Sequence, residues 1–146
     1  MSKEKLFQVG VKALIEDKSG NILVFRADTT YDHPDGVEPY WDIAGGRIKE
    51  GQAPEQALAR EIEEETGITQ MESSEFFTAV ISNHEVRLDD GIKTGLVLMV
   101  YKVKVPANSE IKLSPEHDKY EWVDRKEAAK RLADKYPPEF TNLLNQ

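Results

Sequence analysis

Gly45-Gly46-Arg47-Ile48-Lys49-Glu50-Gly51-Gln52-Ala53-Pro54-Glu55-Gln56-Ala57-Leu58-Ala59-Arg60-Glu61-Ile62-Glu63-Glu64-Glu65-Thr66-Gly67-Ile68 reads as a glycine loop that feeds an acidic helix. Pro54 suits the first helical turn, where its missing N–H is not needed. Gly67 suits the stop, where a left-handed residue is usual. Ala57, Leu58 and Ile62 supply an apolar stripe at helical spacing. Glu61, Glu64 and Glu65 stand at i, i+3 and i+4, so their carboxylates crowd one face. An acidic run on a helix is ordinarily a solvated face. Three carboxylates side by side make a second kind of sense when a cation sits among them, and hard oxygen donors suit Mg²⁺ or Mn²⁺.

Outward from that stretch, the chain reads as one small domain. Its 146 residues are enough for a real core, and 39% hydrophobic with 32% charged residues is ordinary for a soluble globular protein. The net charge of −8 argues against a surface built to grip a nucleic-acid polymer. A nucleotide substrate remains compatible with it, because a bound metal supplies positive charge locally. The absence of cysteine excludes disulfides and thiolate chemistry and fits a reducing compartment. Met1 to Leu6 lacks the apolar core of a signal peptide, and no apolar run reaches membrane-spanning length. The expectation is a cytoplasmic protein with no membrane partner.

Before the glycine loop, Val9, Val11, Ala13 and Ile15 alternate with Gly10, Lys12, Leu14 and Glu16, a half-buried strand over about residues 7–16. Asp17 to Asn21 is a turn, and Ile22 to Phe25 a second strand closed by Arg26. Residues 27–40 form a long polar loop carrying Tyr31, His33 and Tyr40, whose rings either stack on a base or pack the loop onto the body. Trp41-Asp42-Ile43 is a short strand leading into the glycines. After the helix, strands are expected at about 74–83, at Gly95–Val105, which is central in its apolar first half, and at Tyr120–Val123. Asp90-Gly91 signals a hairpin turn. Asp124 and Glu127 have capping-box spacing before a helix with Ala128, Ala129 and Leu132. A last short helix begins at Pro137-Pro138-Glu139.

The central stretch resembles the Nudix box: Gly, five residues, Glu, seven residues, Arg-Glu, an aliphatic residue, any residue, Glu-Glu, any residue, Gly and an aliphatic residue. Gly46, Arg60, Glu61, Ile62, Glu64, Glu65, Gly67 and Ile68 match. Six of seven fixed residues agree by chance at roughly 10⁻⁷ per starting position. Gln52 departs, standing where the box has its first Glu, and Ala44 stands where the family often has Pro. The resemblance implies an α/β (α+β) fold, the Nudix-like α-β-α sandwich with a mixed central sheet, spanning residues 1–146 as a single domain.

It also implies Mg²⁺-dependent hydrolysis (Mn²⁺ as substitute) of a nucleoside diphosphate linked to another moiety. The substrate class covers nucleoside triphosphates, dinucleoside polyphosphates and nucleotide sugars. Glu61 and Glu65 are then the first metal ligands, with the Gly45 carbonyl beside them. Glu64 is either a third ligand or the group that orients or deprotonates the water. Arg60 belongs to the catalytic set, its expected partner being Gln52, with Glu50 or Glu55 as alternatives. Glu116, in a Ser114-Pro115-Glu116-His117 run similar to that of diadenosine-polyphosphate hydrolases, is the candidate base or further ligand. His117, Gly46, Arg26, Tyr31 and Trp41 are the candidate substrate contacts. The working protein is expected to be a monomer or homodimer.

Gln52 keeps a second reading open, a non-catalytic Nudix-like module that binds nucleotides. A prenyl-diphosphate isomerase of the same superfamily is excluded by the lack of its catalytic cysteine, and the net charge disfavours RNA decapping.

Overall fold

A parallel strand pair forms the middle of the molecule. In the computed structural model, which describes residues 3–27 and 38–146, β1 (Phe7–Glu16) lies beside β7 (Lys93–Lys104) from Phe7↔Gly95 to Glu16↔Lys104. β2 (Ile22–Ala27), β3 (Trp41–Asp42) and β5 (Ser73–Ile81) extend the sheet in the order β3-β2-β1-β7-β5. β4 (Ala44–Arg47) joins β1, β6 (Val86–Arg87) joins β7, and β8 (His117–Val123) joins β2, all antiparallel. One parallel pair among antiparallel ones makes the sheet mixed, as expected.

Among the described residues, three helices cover it. α1 (Pro54–Thr66) lays Ala57, Leu58 and Ile62 against Val11, Ala13, Ile15, Leu23 and Phe25. α2 (Arg125–Leu132) and α3 (Pro138–Leu144) pack Ala128, Leu132 and Phe140 against Leu14, Val24, Leu98 and Val100 on the opposite face. Each fully buried Leu or Ile contributes about 1.5–3 kcal/mol. The ends of α1 follow the sequence: Pro54 opens it, and Gly67 closes it at φ 78° with its N–H on the Glu63 carbonyl. Ala53 has no polar side chain, and the Gln56 side-chain oxygen caps its N–H instead.

Coverage on both faces changes the reading of β1. Gly10 to Ile15 are buried in succession, so Lys12, expected on a solvent face, is inside the protein. The capping-box expectation at α2 holds in half. Asp124 accepts the Glu127 N–H, whereas the Glu127 carboxylate bonds Arg131. Tyr31 and His33 lie outside the described residues.

Candidate active site

β4 runs antiparallel to β1 so that Gly45 faces Lys12 and Gly46 faces Val11. Gly45 sits at φ 152°, and a Cβ there would strike the Val11 carbonyl. A Cβ on Gly46 would strike the Glu61 carboxylate. The two glycines therefore let two helix carboxylates dock directly on strand backbone. Glu61 packs over Gly46, and Glu65 Oε2 accepts the Gly45 N–H at 2.8 Å. Both acids are buried, at 9% and 3% exposure. Glu64 is exposed, although it is one residue from Glu65.

Arg60 ties this group together from outside. Its Nη2 donates to Glu61 Oε1 at 2.9 Å, and its Nη1 to both Glu64 oxygens at 3.0 and 3.1 Å. The expected Gln52–Arg60 contact is corrected here. Gln52 Oε1 accepts the Lys49 N–H and braces its own loop, while Arg60 bonds its helix neighbours rather than Gln52, Glu50 or Glu55. Gln52 thus serves as a loop brace, and the arginine's ion pairs form without it.

A cavity of about 970 Å³ opens beside the docked carboxylates. Gly45, Gly46 and Glu65 form one wall, Glu116 and His117 another, and Lys12, Asp42 and Lys135 line it as well. Tyr40 and His84 also border it, edge to face with ring centroids 4.8 Å apart, and His84 Nε2 meets Asp134 at 3.0 Å. Trp41 and Arg26 do not line it. Trp41 lies under the Arg131 guanidinium at 4.5 Å, and Arg26 grips the Asp118 carboxylate with two bonds of 2.9 and 2.6 Å. Successive strand residues leave the backbone on opposite sides, and it is Asp42, not Trp41, that takes the cavity side.

Sequence reading missed a buried polar cluster centred on Asp42. Asp42 Oδ2 receives Lys12 Nζ at 3.0 Å and Lys135 Nζ at 2.7 Å, and its Oδ1 accepts the Tyr136 hydroxyl at 2.6 Å. Burial would raise the Asp42 pKa, but the two ammonium groups outweigh it and hold the carboxylate well below its usual range. Burial would likewise lower Lys12, and Asp42 with Glu65 drives it above its usual value instead. For Lys135 burial prevails and the pKa falls. The available signal was a polar residue at a strand position flanked by core residues: Lys12 between Val11 and Ala13, and Asp42 before Ile43.

Glu65 and His117 are shifted in opposite senses. Burial pushes Glu65 up to about 8, against the pull of Lys12 and the Gly45 N–H and with help from Glu61 and Asp42. Burial also raises Glu61, with Arg60 opposing. His117, stacked on Phe25 at 4.9 Å, is pushed down to about 4 by burial, so it meets a ligand at neutral pH as an uncharged ring. From 4.5 to about 8 the folded chain keeps the Glu65 proton that the unfolded chain releases. That contribution to stability is complete below 4.5 and is lost as pH rises through 8. His117 works the other way between about 4 and 6.5, gaining stability with pH. The two oppose each other up to 6.5. Above it, the metal-free protein should lose stability at up to about 1.4 kcal/mol per pH unit towards pH 8. Urea midpoints at pH 6.5, 7.25 and 8 check this, and a flat or rising series would contradict the Glu65 environment.

Glu61 and Glu65 are hard oxygen donors held off the surface with Lys12 and Arg60 as cationic neighbours, a donor set that fits Mg²⁺ or Mn²⁺. Among the described residues, no three acidic or imidazole side chains are already gathered as a cage. Glu64 is turned to Arg60 instead of the cavity.

The comparisons agree with this geometry. Residues 6–144 match the NUDIX domain. The nucleoside triphosphatase NudI of Escherichia coli is 34% identical over 116 residues, covering 75% of this chain and 77% of that protein. An octanoyltransferase of Myxococcus xanthus is 35% identical over 94 residues, 64% of this chain, and the match spans a quarter (25%) of that protein's length. The crystal structure of the MutT protein from Methanosarcina mazei Go1 superposes with a TM-score of 0.72 at 27% identity, covering 99% of this chain and 94% of that one. With the glycine-docked carboxylates and the mixed sheet between helical layers, these matches show that the chain belongs to the NUDIX domain family and is a Nudix-type pyrophosphohydrolase.

Proposed function

We propose that the chain hydrolyses, with Mg²⁺, a phosphoanhydride bond in a nucleoside diphosphate linked to another moiety. The observation that carries this reading is the pair of buried carboxylates, Glu61 and Glu65, docked on Gly45–Gly46, with Glu65 and both glycines lining a cavity of about 970 Å³. Pockets of that size suit a nucleotide-sized ligand. Glu61 and Glu65, with the Gly45 carbonyl, would hold the ion, Mg²⁺ or in its place Mn²⁺, and Glu64, on leaving Arg60, would serve either as a third ligand or as the group that orients or deprotonates the water. When bound, such an ion neutralises charge on phosphate oxygens and makes water a better nucleophile. Arg60 positions Glu61 and Glu64 through its three bonds. To Glu116, exposed at the cavity wall, we assign the role of base toward water or of a further metal ligand. His117 offers a neutral hydrogen-bonding ring to a phosphate.

The similarity to a nucleoside triphosphatase supports nucleotides as the first substrates to try. We read residues 1–146 as one such domain, working in the cytoplasm on a small molecule, as monomer or homodimer. No helix among the described residues is long and apolar enough to cross a membrane.

The test is a panel of nucleoside triphosphates, dinucleoside polyphosphates and nucleotide sugars, each with Mg²⁺ or with excess chelator, products identified. Turnover with Mg²⁺ and none with chelator is the expected outcome. Full turnover in chelator would refute the metal assignment. Saturable binding without product under any metal would turn the reading to a binding module.

A further inference from the structure

Two ammonium groups meet one carboxylate oxygen inside the cavity. Lys12 Nζ and Lys135 Nζ lie 3.0 and 2.7 Å from the same Asp42 Oδ2. Both lysines are more than nine-tenths buried, at 5% and 8% exposure. The other Asp42 oxygen is occupied by the Tyr136 hydroxyl and the Ile43 N–H. Each ammonium carries three N–H donors. Lys12 uses two, on Asp42 and on the Ile43 carbonyl at 3.3 Å. Lys135 uses one, and its charge also lies 5.6 Å from the Tyr40 ring centre. Three N–H donors are thus without an acceptor among the described residues, on two largely buried lysines that line the cavity.

The charge balance points the same way. Two cations share one anion, Tyr136 is a neutral donor, and the carboxylate has no lone pair left to give. An unmatched buried charge is costly unless something completes it. The missing partner must accept hydrogen bonds and carry negative charge. Glu65 is held by Gly45 and, on the reading above, is committed to a cation. A terminal phosphate carries close to two negative charges at neutral pH, whereas a phosphate substituted on both sides carries one.

We propose that Lys12 and Lys135 form an oxyanion seat for the free terminal phosphate of the substrate, so that the enzyme favours nucleoside polyphosphates with an uncapped chain over those capped at both ends. This rests on the phosphoanhydride reading and adds to it a substrate class. Lys12 and Lys135 act here as binding residues that tell one chain end from the other.

The test measures binding without turnover. Inorganic pyrophosphate is titrated into the metal-free protein in chelator, by calorimetry, for wild type, Lys135→Met and Lys12→Met. An uncharged nucleoside is titrated in parallel. Either variant leaves one ammonium on Asp42, so the carboxylate stays paired. Both variants should weaken pyrophosphate tenfold or more and leave nucleoside affinity unchanged. Pyrophosphate affinity retained within threefold would overturn the seat. So would loss of nucleoside binding in place of pyrophosphate, which would mean that the lysines read a base edge. Should the variants melt at room temperature, ¹⁵N spectra of the wild-type lysine ammonium groups decide. Two buried signals that shift with saturating pyrophosphate support the seat, and unmoved signals overturn it. Absence of turnover across the nucleotide panel would refute the hydrolase reading alone, since the pyrophosphate titration involves no turnover.

Discussion

Glu65→Gln should lose at least about a hundredfold in kcat/KM, roughly 2.7 kcal/mol of transition-state stabilisation, while Glu63→Gln stays within about twofold of wild type. The two positions differ in geometry more than in chemistry. Two helical steps turn a side chain about 160° away, so Glu63 stands on the far side of α1 from Glu65. Glu63 is exposed, whereas Glu65 is 3% exposed and bonded to Gly45. Glutamine can still accept the Gly45 N–H through its side-chain oxygen, so the loop keeps its place. What it cannot supply is a negative oxygen for a cation. The informative comparison is therefore kinetic, with melting temperatures recorded beside it. A large rate loss at unchanged stability supports the ligand role. Equal rate losses in the two variants would mean that the face of α1 turned to the cavity has been misassigned.

How much of this was legible beforehand depended on sequence distance. α1 was readable at both ends because Pro54 and Gly67 carry local backbone rules, and its inner stripe because Ala57, Leu58 and Ile62 recur at helical spacing. The docked carboxylates were readable because Gly45, Gly46, Glu61 and Glu65 sit within one contiguous motif. The Arg60 partner was misread for the opposite reason. A motif fixes spacing, but side-chain choice between Gln52 and the nearer Glu61 and Glu64 is settled by helix geometry, where an i, i+4 pair costs little to form. The Lys12–Asp42–Lys135 cluster was not legible at all. Its members are 30 and 93 residues apart, and alternation in β1 suggested that Lys12 faced solvent. That inference fails where a sheet is covered on both faces, because β1 is then buried on its polar side too. The parallel pairing of β1 with β7 escaped for the same reason, since a long crossover leaves no local signature.

The same cluster yields the largest expected change in stability. Asp42→Asn should destabilise the fold by about 3–5 kcal/mol, because it removes the one anion between two buried ammonium groups. An amide can replace some of the hydrogen bonds to Lys12, Lys135 and Tyr136, but it brings no charge. Asp118→Asn is the matched control. Its carboxylate is also paired with a cation, Arg26, yet that pair is about a third exposed, so its loss should cost about 0–1 kcal/mol. The two effects also differ in their pH dependence. The folded-state pKa of Asp42 is depressed, so its contribution is present above the ordinary value of 3.8 and fades as pH falls through the lower folded one. Asp42→Asn should then flatten the acid limb of the stability profile. In the variant the two lysines favour losing a proton, so its stability should recover as pH rises towards 10. Urea unfolding of wild type and both variants at pH 5, 7 and 9 measures all of this. A loss below about 1 kcal/mol at pH 7 for Asp42→Asn would mean that the two lysines do not share that carboxylate in solution, and the oxyanion seat would lose its foundation with it.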